Sequence, residues 1–241
     1  PRVLSIHQRK GPGRALLAWC LQELREGRAR RVVSKLHGRE EEIKPYIKFY
    51  LSNGFHFDHG HPRLEMVADL HHMPPLKKRP VEMIPAQDLG TQKFAEIYRE
   101  SYAESTARGL SHERQDKGRT SVEDYAEELS EMRKSFVIDP IGNWYAAYAK
   151  HRYVGVILCG LRKDGMTVDV QELAVAPEER GKGIGTYMLG WSLRRLRNLG
   201  VKMAGLGVDD GNQAARRVYE KVGFQAVHTT ACLLKGHPPH L

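Results

Sequence analysis

Asp169-Val170-Gln171-Glu172-Leu173-Ala174-Val175 runs through a short connector into Arg180-Gly181-Lys182-Gly183-Ile184-Gly185-Thr186. The first stretch alternates apolar and polar residues as a strand does. The second is a glycine turn that opens an amphipathic helix reaching Leu199, where Gly200 ends it. Glycines there let the backbone approach a ligand closely, and free N–H groups at a helix start favour a phosphate. A second stretch follows. Asn212, Ala215, Tyr219, Gly223 and Phe224 lie on a helix and the turn after it, which sets a phenol beside the proposed phosphate turn.

Together the two stretches resemble the signatures of the GCN5-related N-acetyltransferases, Gln/Arg-x-x-Gly-x-Gly/Ala followed by Asn-x-x-Ala-x-x-x-Tyr-x-x-x-Gly-Phe. Here they read Arg180-x-x-Gly183-x-Gly185 and Asn212 to Phe224 with every spacing kept. One glycine motif alone is weak, but two in order, each on the right element, extend the resemblance over roughly residues 80 to 236. The resemblance implies an α/β (α+β) fold, a mixed central sheet flanked by helices, and acetyl-coenzyme A as co-substrate.

The bulk numbers agree with that class. The chain has 241 residues, 41% hydrophobic and 28% charged, with a formal charge of +9, which suits a globular protein that attracts an anionic co-substrate. No apolar run approaches the ~20 residues of a membrane helix, and no basic stripe interleaved with aromatics suggests nucleic acid. Cys20, Cys159 and Cys232 are odd in number and lack ligand spacing, which points to reduced thiols, a cytoplasmic setting and no metal. The start at Pro1 suggests a true start upstream, and a homodimer is left open.

The glycine helix occurs twice. Gln8–Arg25 aligned on Arg180–Arg197 gives eight identities in eighteen positions, among them Gly11/Gly183, Gly13/Gly185 and Trp19/Trp191, where chance gives about one. The chain is therefore read as two copies, the N-terminal one partial: residues 1–70 degenerate, 71–80 a linker and 81–236 complete. In carrying two copies the chain resembles tandem-domain members of the family such as mycothiol synthase, with its first copy incomplete. In the early copy Pro12 stands in the glycine loop and removes a donor, and Ile43 and Tyr46 replace the asparagine and alanine, although Tyr50 keeps its place before Gly54. Only Val3–His7 precedes it as a strand. Trp19 and Trp191 are expected at matching core positions. His71–Pro80, with three prolines and a basic cluster, reads as an extended, solvated connector.

In the later copy the spacing predicts a strand at Val81–Pro85 and helices at Leu89–Tyr102 and from Ser121, a capping box, to about Phe136. Strands follow at Trp144–Lys150, Tyr153–Leu161, Met166–Val175, Val201–Val208 and Phe224–Leu234, with a helix at Gln213–Val222. Gly109–Arg119 is expected to be a loop near the acceptor.

Residue roles come from the resemblance. Backbone groups of Leu173 and Val175 would bind the pantetheine where their strand splays from Val201–Val208. Gly181, Gly183, Ile184, Gly185 and Thr186 would hold the diphosphate, and Arg180 and Lys182 would add charge. Asn212 would cap its helix and touch the co-substrate. Acetyl transfer to a small-molecule or peptide amine by direct attack needs a base, an oxyanion donor and an acid for the leaving thiolate. The Val175 N–H would be the oxyanion donor and Tyr219 the acid. Asp169 and Glu172 are the candidate bases, on opposite faces unless a bulge intervenes, with Asp169 narrowly preferred. Two other readings stay open: a non-catalytic acyl-coenzyme A-binding module, and a dinucleotide-dependent oxidoreductase, whose third glycine is absent at Thr186. His56, Asp58, His59 and His61 are read as a surface run rather than a metal site.

Overall fold

A computed structural model describes residues 11–29, 31–58, 60–103, 120–136 and 140–236. By backbone contact the chain divides into residues 1–62 with 228–241, and residues 63–227. The expected strand at Val3–His7 and the expected loop Gly109–Arg119 lie outside the described residues.

In the first unit, helix α1 (Pro12–Glu26) follows Gly11, whose φ of 101° is a left-handed turn into the helix. The proline sits at the first helical position, where no N–H is needed. Strand β1 (Val32–Gly38), helix α2 (Glu40–Leu51) and strand β2 (His56–Phe57) follow. β1 pairs antiparallel with the chain's last described strand, β9 (Gln225–Lys235), from Val32↔Lys235 to Gly38↔Thr229. A small core joins Leu17, Phe55, Ala231 and Leu233. Trp19 is not in it: 59% exposed, it departs from the expected core position because the core takes Leu17 instead. Asp58 pairs with Arg31, His56 and His61 are exposed, and His59 lies outside the described residues.

The second unit begins with β3 (Arg63–Asp69). Then come β4 (Glu82–Pro85), the single turn α3 (Ala86–Leu89), α4 (Thr91–Ser101), α5 (Val122–Lys134), β5 (Trp144–Ala149), β6 (Arg152–Leu161), β7 (Thr167–Val175), α6 (Ile184–Asn198), β8 (Met203–Asp209) and α7 (Gln213–Val222). Gly90, at φ 74°, breaks the expected Leu89–Tyr102 helix into α3 and α4. Ser121 caps α5, its hydroxyl accepting from the Asp124 N–H at 3.1 Å while Asp124 accepts from the Ser121 N–H at 2.9 Å.

The strands of this unit run in the order β3-β8-β7-β6-β5-β4. All neighbours are antiparallel except β7 and β8. Against one face pack α6 and α7, burying Met188, Leu189, Leu193 and Val222 over Ile157, Cys159, Val168 and Val170. Against the other pack α4 and α5, burying Phe94, Tyr98 and Leu129 over Trp144, Val156, Leu158 and Ala174. Each aliphatic or aromatic side chain so buried contributes about 1.5–3 kcal/mol. The two layers clamp β7 between them.

Candidate active site

β7 is the strand on which the site is built, because it loses one neighbour midway. It pairs with β8 only at Thr167↔Met203, Val168↔Ala204 and Asp169↔Gly205. With β6 the pairing continues to Gly155↔Val175. Beyond Asp169, β7 and β8 therefore part, and β7 keeps an edge facing the gap. Ala176 donates its N–H to the Val154 carbonyl at 2.9 Å. In an antiparallel pair successive residues turn their backbone groups to opposite sides, so Leu173 and Val175 turn theirs to the gap. The guanidinium of Arg180 donates to the Val175 carbonyl at 2.9 Å.

The β6–β7 register shifts between Leu158 and Cys159, leaving Gln171 as an extra residue between Glu172↔Leu158 and Val170↔Cys159. This bulge changes which way the carboxylates point. Asp169 lies opposite Gly160 and Glu172 opposite Leu158, and partners two apart share a face. Both carboxylates thus project to the α4/α5 side, although they are three residues apart.

Their surroundings differ. Asp169 is held in a two-pronged ion pair by Arg162, at 2.7 and 2.9 Å, below the point where the strands part. Glu172 stands in the gap region, only 4% exposed, and accepts a hydrogen bond from the Tyr102 hydroxyl. Tyr219 comes from the opposite layer, half-buried among the α6/α7 side chains and edge-on to Phe224 at 6.0 Å. Burial, and then the Glu172 charge, push its phenol up to about 12. It is a proton donor at every ordinary pH.

At the end of β7 the chain turns through a 3₁₀ segment, Pro177–Glu179, to the glycine loop. Gly181 and Gly183 have φ of 74° and 80°, conformations that side-chain-bearing residues adopt only under strain, and a Cβ at Gly181 would meet nothing within 4 Å. A left-handed glycine pair before the α6 N-terminus, open at Gly181, suits a phosphate. Ile184, Gly185 and Thr186 form the first turn of α6. Asn212 caps α7, its Oδ1 accepting from the Ala215 N–H at 3.1 Å.

The cations expected at the phosphate are turned elsewhere. Besides Val175, Arg180 bonds the Ala103 carbonyl at 2.8 Å. Lys182 bonds the Glu178 carbonyl at 2.6 Å and the Glu179 carboxylate at 3.0 Å. Glu179, 3% exposed, also receives Lys150 and Arg152. A cleft of 1040 Å³ lies beside the loop on the α4 side, lined by Lys93, Ile97, Tyr148, Arg152, Tyr153 and Ala176 among others. Neither Glu172 nor Tyr219 lines it.

Sequence reasoning missed Tyr102 and Arg79. Tyr102 closes a helix whose apolar spacing marked it as packing, and nothing local tied it to Glu172, 70 residues away. Arg79 stood in a segment read as solvated, yet its guanidinium lies over Gly183.

Residues 94–224 match the Acetyltransferase (GNAT) family over more than half of the chain. The protein belongs to that family. A mycothiol acetyltransferase from Thermobispora bispora is 43% identical over 61 residues, 25% of this chain and 21% of that protein. The chain thus spans about a fifth of the length of that curated relative. Among solved structures, a GCN5-related N-acetyltransferase from Sphaerobacter thermophilus superposes with a TM-score of 0.62 at 19% identity, over 99% of this chain and 72% of that one. A tandem GNAT protein from the clavulanic acid biosynthesis pathway gives 0.53 at 16%, over 100% and 74%. At these identities the likeness is one of fold.

Proposed function

We propose that the protein transfers an acetyl group from acetyl-CoA to an amine by direct attack within a ternary complex. One observation carries the reading: a carboxylate and a phenol flank the parted strands from opposite faces, Glu172 from the α4/α5 side and Tyr219 from the α6/α7 side. An amine and a leaving thiolate need that arrangement, since one proton is lost where the nucleophile enters and another is gained where sulfur leaves.

In this reading Gly181 to Thr186 hold the diphosphate through backbone N–H groups, and the gap edge at Leu173 and Val175 pairs with the pantetheine amides as an added strand does. The Val175 N–H supports the carbonyl oxygen as charge develops on it. Glu172 takes the amine proton, directly or through a water, and Tyr219 gives its proton to sulfur. Glu172 is preferred to Asp169 because Arg162 occupies both Asp169 oxygens. Tyr102 orients the Glu172 carboxylate. Asn212, having spent Oδ1 on its cap, keeps Nδ2 for the co-substrate.

α1 and α6 each have 15 residues, and both follow a left-handed glycine, Gly11 or Gly183. Strand, helix and strand follow in the same order after both. This supports an N-terminal partial copy at the same offset as the sequence repeat.

The test is a thiol-release assay with acetyl-CoA across a panel of amines: peptide N-termini, polyamines, aminoglycosides, amino-sugars and amino-thiol precursors. Tyr219→Phe should lower kcat about 10²-fold while leaving acetyl-CoA affinity intact, and Glu172→Gln should do likewise. A wild-type protein that binds acetyl-CoA but releases thiol with no amine would support the non-catalytic module instead.

A further inference from the structure

The Pro-rich segment 73–80 lies along α6. Arg194 reaches the Pro74 carbonyl, and a Cβ at Gly190 would stand 2.7 Å from Leu76 Cδ1. At its far end, a guanidinium nitrogen of Arg79 is 2.7 Å from where a Cβ at Gly183 would be. Docking of the prolines thus delivers Arg79 to the glycine loop, where its guanidinium lies over Gly183. A cavity of 210 Å³ opens there, lined by Lys77, Arg79, Gly183, Thr186, Tyr187 and Lys221 among others.

The charges around that cavity are unbalanced. Arg180 and Lys182, the cations of the loop itself, are committed to carbonyls and to Glu179. No ion pair joins Lys77, Arg79 or Lys221 to a carboxylate among the described residues. Like charges gathered without a counter-charge repel one another, and an anion relieves that cost. Arginine suits a phosphate in particular, because its planar fork donates two parallel hydrogen bonds.

We propose that Arg79, presented by the docked Pro-rich segment, recognises a phosphate group of the acyl-CoA co-substrate, with Lys77 and Lys221 completing the cationic rim. The inference rests on the acetyl-CoA reading above and adds a contact from outside the glycine motif. Two sources share the chemistry, the diphosphate and the 3′-phosphate.

Calorimetric titration separates them. Acetyl-CoA, its 3′-dephospho form and S-acetylpantetheine are titrated into the wild type, Arg79→Ala, Arg79→Gln and Arg79→Lys, with melting temperatures checked for each. Arg79→Ala and Arg79→Gln should weaken acetyl-CoA about tenfold or more, Arg79→Lys should recover part of the loss, and S-acetylpantetheine binding should not change. KM for acetyl-CoA should rise with kcat unaltered. An equal loss for the dephospho form assigns the diphosphate, and a loss confined to acetyl-CoA assigns the 3′-phosphate. Wild-type affinity in the well-folded Gln and Lys variants overturns the inference and leaves the acetyl-CoA reading standing. A wild type that binds no acetyl-CoA removes both.

Discussion

Glu179 shows how a single carboxylate can gather the cations around a glycine loop. Hydrogen bonds from Lys182, Arg152 and Lys150, in that order of effect, hold its pKa near 2, below the ordinary 4.5. A lowered carboxylate pKa means that the folded state favours the anion. The stabilisation is therefore complete above about pH 4.5 and disappears as the pH falls toward about 2. Glu179→Gln should lower the melting temperature at pH 7, and the wild-type and variant curves should converge as acid removes the charge. Parallel melting curves across that window would contradict this account. Tyr219 carries the opposite sign. Its phenol, raised to about 12, stabilises the fold below the ordinary value of 10, and that contribution is lost as the pH climbs from 10 through 12. At this scale the sequence was informative wherever a role is set by its neighbours along the chain: the Asn212 cap, the Ser121–Asp124 box and the left-handed glycines at 181 and 183. It was silent where a role depends on distant residues, as with Tyr102 on Glu172 or Arg79 over Gly183.

Between residues 82 and 235 most strands and helices were legible to within a residue or two, because burial alternates cleanly along β7 and α7 obeys its cap and its left-handed Gly223 end. By contrast, β3 was not read and Gly90 splits an expected helix. The bulge was legible only as a condition, under which Asp169 and Glu172 would share a face. A strand's extra residue exists only relative to its partner, and Gln171 is extra because of how β6 lies beside it. That feature brings Glu172 to the face that holds Tyr102. The close β6–β7 contact has a sensitive point at Gly155. A Cβ there would lie 2.5 Å from the Ala174 carbonyl oxygen and 3.1 Å from Met188 Cε. The first of these is backbone and cannot step aside. Gly155→Ala should therefore push β7 toward the gap, costing about 1–3 kcal/mol and weakening acetyl-CoA binding through Leu173 and Val175. Thermal denaturation and titration measure the two effects, and an unperturbed melting temperature would mean that the strands yield more easily than packing implies.

For the chain as a whole, the sequence repeat suggests a cut at residue 81, but the pairings argue for an earlier one. β8 holds β7 at three positions only, whereas β3 pairs with it at seven, from Arg63↔Asp209 to Asp69↔Met203. β3 also sends Leu64, Met66 and Ala68 into the core under α6 and α7. Repeats are recognised by similarity along the chain, and nothing in that similarity says which strand completes which sheet. A fragment beginning at residue 81 would leave β8 as an open edge beside parted strands, with core positions vacated and a row of unpaired backbone groups exposed. A fragment of residues 62–236 keeps that edge covered. We expect the shorter fragment to aggregate or to melt without a cooperative transition, and the longer one to melt cooperatively and to retain acetyl-CoA binding, since Arg79, the glycine loop and Tyr219 all lie within residues 63–227. Equal solubility and equal cooperative melting of the two fragments would show that β3 is dispensable, and that α6 and α7 alone hold β8 against β7.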